Sequence, residues 1–409
     1  IRRAAMKGKI GSSGGAALKT ILGVLKGKDP EMLQPAIAMI PGAFSGTDVG
    51  EACALLPGLP EDAQVQLIAV LARFPKDAVL PTLMQAASAS PSQVVRIEAI
   101  GALALAGDKT CVGFLSDRAA RTSSVEQAAA RDSLARVRGS DVDAAILERL
   151  ASARDNAVLG ELIRASGERR IKGSLSTLIK LAVSEVPMVR SQAFRAIRRL
   201  AGAEDLVPLL GLLMDTEDES DLDEIAAAVA SAASREARPS ARAEAVESLL
   251  STEKDPLRRA SLMLVLGKIG EDRTLPILRR ALAEDPQAVK TAAEKALIGW
   301  PTPAARDDVL AIARASTDPV AKILALQGYV RMIALERYRA PEGAVASLAE
   351  ALALAQRPEE RRLVLGALPG FACPAALRMA ESLLGSADVG AEARAAADLI
   401  RDKLARKAP

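Results

Sequence analysis

The chain has 409 residues, half of them hydrophobic but only 2% aromatic, and its 54 Lys and Arg nearly balance 51 Asp and Glu for a net charge of +3. So even a balance excludes the broad basic excess of a protein that neutralises many phosphates, and no apolar run approaches the ~18–20 residues of a membrane span. Histidine is absent, which removes the commonest general base, the Ser/His and Cys/His nucleophile pairs and the usual zinc ligand. With so few aromatics the core must be built from Ala, Leu, Val and Ile. Ala and Leu are strong helix formers, and small side chains let helix axes approach to about 8–10 Å. The class reads as all-α.

From the start of the chain, Ile1-Arg2-Arg3 has the look of a helix interior, so the expectation is a segment of a longer protein. Gly8-Lys9-Ile10-Gly11-Ser12-Ser13-Gly14-Gly15 is Gly-rich, but no strand precedes it and no Lys-Ser/Thr pair ends it. It reads as an interhelix turn rather than a phosphate loop. The first clear unit opens at Pro91, where a starting helix needs no N–H donor. Val95, Ala99 and Leu103 then recur at i, i+4, i+8 as one apolar stripe. The frame returns at Pro187, Val189-Arg190, Ala193 and Ile197, again at Asp285-Pro286, Val289-Lys290, Ala293 and Leu297, and at Asp318-Pro319, Lys322, Ala325 and Tyr329. A second amphipathic stretch precedes each copy, such as Leu206 to Met214 or Leu275 to Leu282.

Registered on the last apolar position, the copies end at Met39, Leu71, Leu103, Leu134, Ile163, Ile197, Val229, Leu266, Leu297, Tyr329, Leu368 and Ile400. The intervals are 32, 32, 31, 29, 34, 32, 37, 31, 32, 39 and 32 residues. A period near 32 leaves room for two helices and short turns, and self-similarity at such a period signals a stacked-repeat fold. The expectation is a right-handed α-solenoid of about twelve helical hairpins, helix A then helix B. Extra length falls before Leu266 and before Leu368, the second through an extended helix A over Pro341 to Gln356. No linker-like stretch interrupts the array, so 1–409 reads as one continuous domain.

The frame Asp-Pro, two residues, Val-Arg/Lys, two residues, Ala, three residues, Leu resembles HEAT repeats, particularly the short bacterial variety described as bilin-lyase-type. The unit from Asp255-Pro256-Leu257-Arg258-Arg259 to Leu266-Gly267-Lys268-Ile269-Gly270, followed by Asp272 and Leu275-Pro276, matches best. The stretch from Ala296 to Trp300-Pro301, through Leu326-Gln327-Gly328-Tyr329 to Pro358-Glu359-Glu360-Arg361-Arg362, is similar to HEAT segments of large multidomain bacterial envelope proteins. The resemblance implies fold rather than activity, because the matched residues are packing residues; it also implies a bacterial, periplasmic or cell-envelope setting. Units ending at Leu134, Ile163 and Val229 lack the Pro and the basic residue and depart from the frame.

Little in the chain carries chemistry. Cys53, Cys111 and Cys373 lie in different repeats and read as small buried apolar residues. The acidic run from Asp215 to Glu224 lacks the spacing and central Gly of an EF-hand. It reads as a solvated loop whose acids favour the next helix N-terminus. Neither metal nor cofactor is expected. Arg96, Arg190, Arg259, Lys290, Lys322 and Arg361 recur at one place in the frame. The HEAT resemblance implies that each bridges to a turn acid of its own or the next repeat, forming a ladder. Arg164, Arg169, Arg170, Lys172, Arg195, Arg198 and Arg199 exceed that one-per-repeat pattern. Arg195, Arg198 and Arg199 share a helix face, and stacking should bring them near Arg164. Such a cluster is either a solvated face or a contact for an acidic protein or polymer, with nucleic acid a further alternative. Tyr329 is a core residue, and Trp300-Pro301 is expected to pack over an interrepeat seam; Tyr338 completes the large polar-tipped aromatics.

The functional expectation is a non-catalytic, monomeric interaction scaffold that binds a protein partner, an acidic one among the options, on its concave face. Arg164, Arg169, Arg170, Arg195, Arg198 and Arg199 are the candidate contacts. The alternatives are a HEAT-like enzyme of the bilin-lyase or base-excision-glycosylase type, or nucleic-acid binding through the Arg cluster. A glycosylase needs aromatics and a basic groove, which this composition does not supply.

Overall fold

The computed structural model describes residues 14–407 apart from 28, 46–47, 122–123, 285 and 337–339. Ile1 to Arg3, Gly8 to Ser13, Asp285 and Tyr338 lie outside the described residues. About 80% of the described residues are helical, and they form 24 α-helices with no strand. They divide into two compact units, Ile1–Leu200 and Ala201–Pro409.

The first unit holds α1 (Gly14–Gly27), α2 (Pro30–Ala43), α3 (Val49–Leu55), α4 (Glu61–Leu71), α5 (Lys76–Ala89), α6 (Gln93–Ala106), α7 (Cys111–Arg121), α8 (Ser124–Arg136), α9 (Val142–Ser152), α10 (Asn156–Arg169), α11 (Leu175–Leu181) and α12 (Pro187–Leu200). The second holds α13 (Leu206–Met214), α14 (Glu219–Ala233), α15 (Glu244–Thr252), α16 (Pro256–Ile269), α17 (Leu275–Ala281), α18 (Gln287–Ile298), α19 (Arg306–Ala315), α20 (Pro319–Leu335), α21 (Pro341–Leu354), α22 (Pro358–Ala367), α23 (Pro374–Glu381) and α24 (Gly390–Lys407). Odd helices are A helices and even ones B, so each unit stacks six hairpins. Within each unit successive B helices pack on one another, α6 on α8 and α16 on α18 for instance. This is the solenoid of HEAT-like hairpins that the repeat predicts. Gly14 and Gly15 belong to α1. The long interval before Leu368 comes from α20 and α21 together, 17 and 14 residues long.

The stripe explains the stacking. Leu71, Leu103, Leu134, Ile163, Ile197, Val229, Leu266, Leu297, Leu368 and Ile400 are fully buried, and Tyr329 is nearly so. The first hairpin corrects the register by one residue. Met39 is half-buried, whereas Leu33, Ala36, Ile37 and Ile40 form the buried i, i+3, i+4, i+7 stripe of α2. Two of the three units that depart from the frame keep its physics. Asp155 caps α10 by accepting from Ala157 N at 2.8 Å, and Asp218 caps α14 by accepting from Ser220 N at 2.9 Å. Asp255 and Asp318 do the same for α16 and α20, with Pro at the first helical position. The N-cap oxygen satisfies orphan N–H groups; the proline only presets φ.

Left-handed backbone occurs at two B-helix ends. Gly270 closes α16 with φ +69°, and a Cβ there would lie 2.0 Å from Pro301 Cγ, so no other residue fits. Arg170 closes α10 with φ 57° and bears a side chain in a conformation that favours glycine.

Cap and seam carboxylates set the response to acid. The Arg121 guanidinium, then the Ala157 and Val158 N–H groups, hold the Asp155 carboxyl below its ordinary value. The Thr110 hydroxyl and N–H, with Lys76, do so for Asp108 against the opposing effect of burial. A folded pKa below the unfolded one contributes stability at neutral pH that is lost as pH falls through the folded value. With no histidine to titrate, the melting temperature should be flat from about pH 5 to 8 and fall below about pH 4. In Asp155→Asn, which keeps a cap but cannot titrate, the fall should be shallower. Melting curves across pH check both; a rise in stability below pH 4 would contradict them.

Candidate interaction surface

Of the six frame cations Arg96, Arg259 and Arg361 reach an acid of the following repeat. Arg96 of α6 donates through Nη2 to Glu126 of α8 at 2.6 Å and through Nη1 to the Ser90 carbonyl at 2.9 Å. Arg259 reaches Glu284 at 2.6 Å and Arg361 reaches Asp388 at 3.0 Å. Arg190 donates to the Ser184 and Glu185 carbonyls of its own turn. Lys290 and Lys322 are half-buried.

A second set of cations is absent from the frame. Arg169 donates to the Ala135 and Val137 carbonyls at the end of α8, and Arg235 to the Ala201 carbonyl. Arg331 takes the Ile298 and Trp300 carbonyls at the end of α18, and Lys403 takes the Pro369 carbonyl. Each cation satisfies orphan carbonyls of the preceding repeat, where the helix dipole also favours positive charge. Arg169 is thereby a seam residue, held as well by Asp143 at 2.7 Å.

The remaining candidates lie on α10 and α12. Glu161 of α10 is buried and accepts from Arg131 Nε of α8 at 2.8 Å and from Arg164 Nε at 3.0 Å. The Glu161 carboxylate is the main reason that the Arg131 guanidinium holds its proton more tightly than usual. Arg164 also donates to Glu168 at 2.6 Å, and Arg199 of α12 comes within 3.6 Å of the same carboxylate. So the stack does bring Arg164 and Arg199 together, through a shared acid. Arg170, Lys172, Arg195, Arg198 and Arg199 are exposed, and Arg195, Arg198 and Arg199 each make a contact within the protein. Residues 170–200 nevertheless carry seven cations, Arg170, Lys172, Lys180, Arg190, Arg195, Arg198 and Arg199, against the single acid Glu185. That local excess of six is twice the net charge of the whole chain.

Sequence reasoning missed a row of exposed aliphatics. Val94, Val125, Met188, Leu257 and Val320 sit at the second residue of α6, α8, α12, α16 and α20, each nine residues before the register residue and each at least 42% exposed. The fixed offset was the available signal. Trp300 is fully buried, its indole N–H donating to Asp272 at 3.0 Å and Thr302 at 3.1 Å, which places it in a seam. Asp218 of the acidic run caps α14, and Asp223 pairs with Lys268 at 2.7 Å. Among the described residues no group of three or more His, Cys, Asp or Glu is arranged to hold a metal ion, and no helix is long and apolar enough to cross a membrane.

Fold and surface together define an all-α protein of HEAT-like helical repeats. No protein-family model and no curated protein matches the chain. Solved structures similar to it include Kap95p, studied for its effect on the switch loops of RanGDP, at 13% identity and a TM-score of 0.44, covering 97% of this chain and 57% of that one. Kap121p is similar at 11% identity and a TM-score of 0.43, covering 96% of this chain and 50% of that one. YibA of E. coli matches at 14% identity and a TM-score of 0.39, covering 69% of this chain and 98% of that one. This chain spans about half the length of the two Kap proteins.

Proposed function

We propose that this chain is a non-catalytic protein-interaction scaffold whose B-helix side, the concave side that repeat stacking generates, receives an acidic partner at the sixth hairpin. The observation that carries the reading is the concentration of seven cations against one acid over residues 170–200. A structural ladder uses about one cation per repeat, and unbalanced charge on one hairpin makes a field that attracts an acidic surface. Arg195, Arg198 and Arg199 are the anchors, with Arg170 beside them. Arg164 supports Arg199 through Glu168, and Arg169 belongs to the seam. Arg170 adds a second argument. Its left-handed backbone is a position that glycine fills at lower cost, and retained strain is a feature of functional sites.

The test uses a fluorescently labelled polyglutamate peptide, with a DNA duplex of equal charge as the counter-probe. Arg195→Ala with Arg198→Ala and Arg199→Ala should weaken peptide binding about tenfold or more at low salt and leave the melting temperature unchanged, because exposed ion pairs contribute little stability. Arg170→Gly should move the two readouts in opposite directions, raising stability by about 0.5–1 kcal/mol as relief of the left-handed backbone outweighs glycine's extra unfolded-state entropy, and weakening binding. Unchanged peptide affinity in the triple variant sinks the proposal, and duplex binding much tighter than peptide binding turns it to nucleic acid.

A further inference from the structure

The charge on α12 does not stand alone. Met188 opens the same helix and is 42% exposed, and Val183, in the turn leading into it, is 63% exposed. An α-helix advances 100° per residue, so Met188, Arg195 and Arg199, separated by seven and eleven residues, fall within about 20° of one line along the helix. One face of α12 therefore begins with a thioether and ends, about 10–16 Å further on, in two guanidinium groups. Met188 is also held in place. It lies against Gly160 of α10, where even a Cβ would come within 3.0 Å of the Met188 sulfur. The thioether thus rests on the neighbouring helix while its outer side stays open. Arg198 and Arg199 in the last turn complement the helix dipole, which accounts for part of the charge. Arg195 makes a contact within the protein, and Met188 shares its exposed second-residue position with Val94, Val125, Leu257 and Val320; of these five helices α12 is the one with arginine both seven and eleven residues further on.

Resting on the proposed acidic-partner reading, we infer that this face recognises an amphipathic acidic helix, whose aliphatic side chain packs on Met188 and Val183 while carboxylates two and three turns away meet Arg195 and Arg199. Charge selects the class of partner, and the apolar end fixes its direction and register. A uniformly acidic surface would satisfy the arginines but leave Met188 and Val183 in water. A helix with matching seven- and eleven-residue spacing meets both ends at once, because helical partners present anchors at i, i+4 and i+7 and the same face returns one turn later at i+11.

The experiment uses the whole chain and two labelled peptides of about 18 residues, built on a helix-forming background. One carries a leucine seven and eleven residues from two glutamates, and the other has serine in place of that leucine. The leucine peptide should bind about tenfold more tightly, as expected for partial burial of one leucine side chain. Met188→Ser with Val183→Ser should abolish that difference while leaving the affinity of the serine peptide unchanged. Arg195→Ala with Arg199→Ala should weaken both peptides. Equal affinity for the two peptides, or a leucine advantage that survives the Met188 and Val183 substitutions, overturns the inference while leaving the acidic-partner reading intact. Failure of the wild-type chain to bind either peptide at low salt overturns both.

Discussion

Leu103→Asp should unfold the middle of the first unit. Leu103 is fully buried on α6, the helix that packs against α4, α5 and α8. The carboxylate would enter the stripe that Leu103 shares with Val95 and Ala99, both fully buried aliphatics with no polar side-chain group. An unpaired charge in such surroundings either takes up a proton or draws in water, and the lost leucine leaves a cavity besides. The expected cost is several kcal/mol, about 4 or more, a large part of what a domain has to lose. In a stack, each hairpin is stable chiefly through its neighbours. The loss should therefore spread to α4 through α8 before it reaches α24. Hydrogen exchange read by mass spectrometry resolves this. Protection should collapse across residues 61–136 and persist near Ile400. Leu103→Met, close to leucine in volume, should cost less than about 1.5 kcal/mol, which separates burial of charge from any sensitivity of the site to substitution. Wild-type protection in Leu103→Asp would mean that the stripe is out of register.

The register could be read because burial imposes a period, and the same reasoning explains where reading failed. Val95, Ala99 and Leu103 must share a face to be covered, so their spacing appears in the sequence. Hairpin one misled by one residue because Met39 and Ile40 are both apolar, and only packing tells which of them points inward. Units ending at Ile163 and Val229 look irregular without Pro, yet Asp155 and Asp218 supply the cap that the helix start requires. The carbonyl-capping cations were not legible. Arg169 and Arg235 lie six residues past their register residues, Arg331 two and Lys403 three. A long side chain reaches the same carbonyls from several positions, so the interaction leaves no fixed spacing. For the candidate surface, the sequence identified the right hairpin and the excess of arginine. It could not sort those arginines. Arg164 is paired by Glu161 and Glu168, one turn away on its own helix, whereas Arg169 is set apart by what another repeat places beside it. The open end of α8 that Arg169 caps lies about thirty residues away in sequence.

Gly267→Val should damage the second unit as specifically as Leu103→Asp damages the first. Gly267 is a buried residue of α16 that faces Ala296 of α18. A Cβ at that position would lie 2.6 Å from Ala296 Cβ and 2.7 Å from Ala296 Cα. Atoms at such distances repel strongly, and what must move is the α18 backbone rather than the tip of a flexible side chain. Helix propensity works in the opposite direction, since replacing a helical glycine gains up to about 1 kcal/mol with alanine and less with a β-branched residue. The steric term should win. Overpacking a tight core costs about 1–3 kcal/mol, and valine adds three carbons to a gap too small for one. Two neighbouring interactions report the strain. If α18 is pushed away from α16, Trp300 just beyond its end should lose its bond to Asp272, and Arg259 its reach to Glu284. Tryptophan fluorescence is a clean readout, because Trp300 is the single tryptophan of the chain and is fully buried. The emission maximum should shift to the red at temperatures where the rest of the chain remains helical. Gly267→Ala should fall between wild type and valine, its gain in propensity partly offsetting the contact with Ala296. A compensating Ala296→Gly in the Gly267→Ala background should restore stability beyond what the two single changes predict by addition, the non-additivity expected of residues in direct contact. Full additivity would show that the two helices do not meet at this pair.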